Sequence, residues 1–478
     1  MIQGKEKRQE RQRRLLYFAL ALAGTSLISN TWVWRDLFLC SIRKEGSFVR
    51  TQVNLDVPRS LRRDWDEWNQ VDVPVQWEGP MPSKSQLLDA LALVASLPPP
   101  HSINQSCTPP PLDPHPTCTG GTGFTGTALP APRRIAHMVL LGFETDTLEI
   151  LLREELDVVD VLFLVESTRS HNPRGQDPRA AKPLMWDRLK HTPRFQFVPP
   201  DKVVHIVIDD TEIFSALRKS KNEAFVVESL QTKMGVAHVK HWAHQSGGLA
   251  DNDLLISGNV DELLSRSTIQ KLRWCELADP VVSSAVWMLM GTLERVFRTD
   301  WPAADLRYTF ALPTIYKWDG ILLGTFEGER KFSLRGVRQS KGRCVQGGLH
   351  MTNIGFLPHA LLKELTATEY KGEVLLDNHA LEMLDKAQLE ISGLTKNAFL
   401  KKRTFSLDAL DERYRGWMLY TPWFLACNQK RYPYWYSKPD PRNQALLFVL
   451  KMLATTKDYN SVQFFAEAEL YQGYSSGA

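Results

Sequence analysis

The sequence contains no Cys-x-x-Cys pair and no cysteine–histidine cluster at zinc-binding spacing, which excludes the common structural zinc modules. No internal repeat is visible along its 478 residues, so an architecture built by stacking repeats is excluded too. An excess of charge is also missing. The formal net charge is only +4, and residues 1–14 account for all of it, with Lys5, Lys7, Arg8, Arg11, Arg13 and Arg14 set against Glu6 and Glu10. The remainder sums to zero, so no nucleic-acid partner is expected. Charge is absent altogether from the twenty residues 15–34.

That uncharged run is long enough, at about 1.5 Å per residue, to span a bilayer core of about 30 Å. Tyr17, Trp32 and Trp34 lie near its ends, where aromatic side chains favour the membrane interface. The basic flank precedes it, so the short N-terminus is expected to stay cytoplasmic and the rest to be luminal. The competing reading is a cleaved signal peptide, with residues 15–22 as its apolar core and Ala21-x-Ala23 as the cleavage site. The apolar run continues well past those small residues, which favours the anchor.

What is present fits a globular chain: 43% hydrophobic and 23% charged residues. Six cysteines (Cys40, Cys107, Cys118, Cys275, Cys344 and Cys427) are compatible with an oxidising lumen and, fully paired, allow about 15 connectivities. Cys107 and Cys118 flank "TPPPLDPHPT" and are expected to pair with each other. Residues 35–131, punctuated by "LPPPH" and "GGTGFTG", read as a semi-extended stem carrying little core, with one amphipathic helix at 85–97. The sequon Asn104-Gln105-Ser106 falls within it, where an exposed loop is expected.

The character changes near Arg133. Apolar runs at 135–141, 158–165, 203–208 and 254–256 alternate with helical patterns at 147–156, 222–244 and 267–277. Buried-type strands alternating with helices predict a mostly parallel α/β sheet flanked by helices. Ligands of such sheets bind beyond the carboxyl ends of the strands. Those ends deliver acids each time: Glu144, Glu166, Asp209-Asp210, and Asn259-Val260-Asp261-Glu262. The last turn, in "DLLISGNVDELLSR", has two readings. Asp261 with the Asn259 carbonyl and Glu262 can hold a divalent cation that bridges diphosphate oxygens, or the turn can simply cap the following helix. His238, His241 and His244, spaced by three, read either as a chelating row or as histidines favoured by a helix C-terminus. The aromatic run 431–436 reads as a sugar-stacking surface or as core.

Phe143-Glu144-x-Asp146-x-Leu148, Arg153-x-Glu155-Leu156, Val158-Val159-Asp160, Glu166-Ser167 and Lys182-Pro183-Leu184 together resemble glycosyltransferase family 17, which adds bisecting N-acetylglucosamine to the β-mannose of N-glycans. Downstream, "DLLISGNVDEL" looks like the family's "DvDEI" segment and Gly348-Leu349-His350 resembles its Gly-Trp-His. The resemblance covers roughly 132–440 and is looser in its second half. It implies a GT-A-like, Rossmann-type fold with UDP-N-acetylglucosamine as donor, a glycan or glycoprotein acceptor, inversion at the sugar carbon and Mn²⁺ as the divalent cofactor. Glu144 and Glu166 would meet uracil or ribose, and Lys182 and His350 the diphosphate. Asn259, Asp261 and Glu262 would form the metal turn, and Glu369 or Asp377 would serve as the base. The first acid of the metal turn is replaced by Asn259, a further acid by Gly258, the proline after Leu263 is missing, and Leu349 stands for Trp. Those departures keep two alternatives open: a different UDP-sugar donor, or a catalytically silent glycan-binding protein.

The implied organisation is a cytoplasmic tail (1–14), a signal anchor (15–34), a stem (35–131), a luminal transferase domain (132–440) and a C-terminal helix and tail (441–478), held in the Golgi membrane. The mature protein is therefore expected to keep its basic head and to resist carbonate extraction. An N-terminus near Gly24 in mass spectrometry would show cleavage instead.

Overall fold

The computed structural model of the protein describes residues 84–119, 121–171, 181–219, 226–298, 302–303, 306–318, 343–351, 356–366, 404–406 and 420–436, with 438, 440 and 442. The elements below belong to one of two compact units of the chain, Leu55–Ser392 with Phe405–Ala478. Among the described residues no helix is long and apolar enough to cross a membrane; the anchor expected at 15–34 lies outside them.

The helix expected within the stem is α1 (Lys84–Ser96), but it is not a stem element. Leu88, Leu91, Val94 and Ala95 are buried, and so are Ala90 and Ala92 on its other side, as in a helix packed on all faces. The strand β1 (Phe124–Ala128) follows. The expectation of little core before residue 132 is thus corrected for the described part. The Cys107–Cys118 pairing is corrected as well: Cys107 joins Cys427 and Cys118 joins Cys275. Asn104 is exposed, as its sequon requires.

The alternation of apolar runs and helices then yields β2 (Ile135–Leu140), α2 (Thr145–Glu155), β3 (Val161–Ser167), α3 (Met185–Leu189), β4 (Val203–Ile208), α4 (Asp210–Lys219), α5 (Val226–Ser246) and β5 (Leu254–Asn259). Every residue of β2 and β3 is buried, as strands covered on both faces require. β3 starts three residues later than the apolar run suggests. Asp160 interrupts it, its carboxylate accepting from Ile135 N (2.7 Å) and Arg273 Nη2 (2.6 Å). The long helix expected at 222–244 is α5, and α4 precedes it as a separate helix.

After β5 come β6 (Glu262–Leu264), α6 (Arg266–Trp274), β7 (Cys275–Leu277), β8 (Val281–Met290), β9 (Thr292–Phe297), β10 (Pro302–Ala303), β11 (Leu306–Phe310), β12 (Thr314–Lys317), β13 (Cys344–His350), α7 (Leu357–Thr366) and α8 (Trp423–Cys427). Ser265 caps α6, accepting from Thr268 N, and β7 pairs with β1. The main sheet runs β10-β11-β8-β12-β5-β2-β3-β4. It is parallel from β5 to β4, but β12 is antiparallel to both β5 and β8, and β11 is antiparallel to β8. The mostly parallel sheet of the sequence reading is therefore a mixed α/β sheet, in which β13 also runs parallel to β8 off the main path.

Polar chemistry fastens this core. Asp146 and Glu149 on α2 are buried among Arg194, Arg431 and Arg442. Asp146 contacts Arg194 at 2.6 Å and Arg442 at 2.7 Å, while Glu149 contacts Arg194 at 2.6 Å and Arg431 at 2.8 Å. Asp440 completes the charge balance on Arg442 at 2.7 Å. A boundary at residue 441 would cut through this cluster. Replacing Arg442 with methionine strands Asp440 and takes one of two cations from buried Asp146, and is expected to cost about 3–5 kcal/mol in chemical denaturation. A loss below ~1 kcal/mol, the scale of an exposed pair, would show that the cluster holds nothing together.

Candidate active site

β2, β3, β4 and β5 run parallel, so their carboxyl ends share one edge of the sheet. The turn after β5 is fixed there by its own backbone: Val260 N donates to Leu140 O (3.1 Å), and Met351 N donates to Asp261 O (2.6 Å). β13 pairs antiparallel with β6, placing His350 opposite Glu262. Two glycines permit this approach. A Cβ on Gly258 would lie 2.7 Å from Pro313 and 2.8 Å from Glu262 Oε2, and Gly348, at φ +144°, would meet Leu263 O at 2.2 Å. The glycine found in place of an acid at 258 is thus a packing requirement.

Asp261, Glu262 and His350 converge, with one ligating atom from each lying within 4.8 Å of the others. His350 Nε2 is 3.5 Å from Asp261 Oδ2, and its Nδ1 faces Met288 Sδ at 2.8 Å. Asn259 braces Glu262, its backbone N–H donating to Oε2 (3.0 Å) and its Nδ2 to Oε1 (3.3 Å). Burial by itself would push the Asp261 carboxyl up, but Lys363 and His350 outweigh it and hold the group below the ordinary carboxylate range. Two carboxylates and an imidazole suit a divalent cation of intermediate softness. Glu144, immediately before α2, has its carboxylate 4.0 Å from Lys363 Nζ, and Lys363 in turn bonds Asp261 Oδ2 at 2.8 Å. Lys363 was not foreseen. It is the one lysine of α7, which holds no arginine, and nothing in the local pattern of that helix marks it.

The other expected donor-binding residues are differently employed. Glu166 is wholly buried and accepts four hydrogen bonds, from Lys182 Nζ (2.8 Å), Met185 N (2.8 Å), Trp186 N (2.9 Å) and His205 Nε2 (3.0 Å). It fastens α3 to the sheet, and Lys182 is its counter-ion. Both therefore have a structural task in the fold, beside the donor contact the sequence reading expects of them. Asp210, at the end of β4, pairs with Arg169 at 2.5 Å, and that partner holds its carboxyl at about 2. Glu369 and Asp377 lie outside the described residues. His238, His241 and His244 are exposed along α5, and among the described residues they form no three-ligand group. Tyr432, Tyr434 and Trp435 of the aromatic run are core.

Replacing Glu166 with alanine leaves buried donors unmatched, at about 1–3 kcal/mol each. The variant is expected to melt markedly lower, with Glu166→Gln recovering part of the loss. Unchanged stability accompanied by weakened UDP binding would return Glu166 to the donor pocket.

Residues 122–311 match the model of Glycosyltransferase family 17. No curated protein matches the chain. The matched segment runs from just before β1 to just past β11 and contains Glu144, Asn259, Asp261 and Glu262, whereas His350 and Lys363 follow it. Over this segment the chain is similar to glycosyltransferase family 17, and that similarity supports a glycosyltransferase.

Proposed function

We propose that the protein transfers N-acetylglucosamine from UDP-N-acetylglucosamine to a glycan hydroxyl with inversion, the β-mannose of an N-glycan being the acceptor, and that it works in the Golgi lumen as a single-pass type II membrane protein. The observation that carries the reading is the convergence of Asp261, Glu262 and His350 at the carboxyl edge of the sheet, inside and just beyond the matched family segment. Nucleotide-diphosphate chemistry needs positive charge held at that edge. Asp261, Glu262 and His350 would hold a divalent ion such as Mn²⁺, which when bound supplies charge to the diphosphate as a Lewis acid. Glu144 stands beside them, at the start of α2, where it can orient a hydroxyl or amide of the donor. Glu369 or Asp377 would take the proton of the acceptor hydroxyl, a contribution of about 10²–10⁴-fold when a base is well placed. A different UDP-sugar fits the same charge arrangement.

A panel of UDP-sugars presented to the full-length protein with a glycan array tests the reading. UDP-N-acetylglucosamine is expected to be consumed fastest, with product on β-mannose termini. Asp261→Asn is expected to lower kcat/KM by about 10²-fold or more, the scale of removing one preorganised electrostatic group. Preference for another donor would revise the sugar while leaving the site in place. Full activity in Asp261→Asn would remove the turn from the chemistry.

A further inference from the structure

The turn that would grip a metal ion already meets a cation. Lys363 Nζ lies 2.8 Å from Asp261 Oδ2, and His350 Nε2 faces the same oxygen at 3.5 Å. A divalent ion bound through that oxygen has to displace an ammonium in direct hydrogen-bond contact. The neighbouring carboxylate is engaged as well, since both oxygens of Glu262 accept from Asn259. Asn259 itself brings no charge. The donor set suits a divalent ion in kind, but one acid fewer and a resident ammonium both weaken its hold.

We propose that Lys363 is the built-in cation of this site: its ammonium, anchored on Asp261, takes the diphosphate of the nucleotide donor, and a divalent ion and Lys363 are alternative occupants of the same carboxylate. The inference rests on the UDP-sugar reading above. An ammonium is a compact charge with three N–H donors, so it can hold a carboxylate and a phosphate oxygen together, as a bridging metal ion does. Glu144 Oε1, at 4.0 Å from the same nitrogen, helps keep Lys363 on this spot. His359 stands one turn earlier on α7 and is buried, so the helix that carries Lys363 is anchored in the core, and the lysine, four residues on, projects from the same face.

The test is a calorimetric titration of UDP into the full-length protein in detergent, in EDTA or in MnCl₂, for wild type, Lys363→Met and Lys363→Arg. Wild type is expected to bind UDP in EDTA, with an affinity little changed by Mn²⁺. Lys363→Met is expected to lose about ten-fold or more in EDTA and to regain it in Mn²⁺, while Lys363→Arg stays resistant to EDTA. Thermal melts without nucleotide give a second readout: Mn²⁺ should raise the melting temperature of Lys363→Met and leave that of wild type where it is. Wild-type UDP binding that vanishes in EDTA overturns the proposal, and so does a methionine variant that behaves like wild type. If folded wild type binds no UDP in either buffer, the donor reading falls and takes this one with it. Should Lys363→Met fail to fold, the response of wild type to EDTA and Mn²⁺ decides alone.

Discussion

Arg194, Arg431 and Arg442 reach one face of α2 and neutralise Asp146 and Glu149 away from solvent. Taking such charges out of water is expensive, and the mutual attraction offsets the cost only where geometry and additional hydrogen bonds are complete. Here they nearly are. Arg194 and Arg442 also donate to Leu97 O at the end of α1, Arg431 to His101 O, and Tyr434 to Asp146. Arg442 lies over the Phe356 ring, which stacks on Tyr434 and meets His359 edge-on. Burial lowers the His359 imidazole to about 3, so it enters the cluster uncharged. The cluster therefore sets two things at once. It fixes α2, which Glu144 immediately precedes, and it fixes α7, which carries Lys363. The spacing between an acid and a cation at the sheet edge therefore depends on ion pairs buried in the core.

The parallel half of the sheet was legible because each of its strands is a local apolar run ending in a turn signal. β2, β4 and β5 fall where the hydrophobic pattern puts them, and the acids at their ends are seen without knowing the fold. The antiparallel half was not legible, because β11 and β12 are too short to show a period of their own and nothing local marks their pairing with β8. Glu166 shows the same limit within the site. A carboxylate at a strand end looks the same in sequence whether it faces a ligand or a lysine sixteen residues on. What separates the cases is the set of four donors folded around it.

The convergence of Asp261, Glu262 and His350 was half legible. The turn could be read directly, and the histidine came with the family resemblance, which covers most of the matched segment. The lysine could not be read, since α7 reaches Asp261 from 102 residues away. Asn259 and Gly258, which look like losses when set beside an acidic motif, have definite work in the fold. The amide supports Glu262, and the glycine admits Pro313. Departures from a motif are thus not all of one kind: some answer to packing, and others to the charge the site must carry.

The two cross-links bear on how the chain is made. Cys107 bonds Cys427, 320 residues later; at about 5–20 residues per second of synthesis, the first thiol waits roughly 16–64 s for its partner to be translated. Throughout that interval Cys118 is close at hand, and Cys118 has itself to wait for Cys275. The neighbouring pair that sequence proximity favours is therefore also the wrong bond that the nascent chain forms most readily. Any such early bond has to be exchanged before Cys427 can close on Cys107.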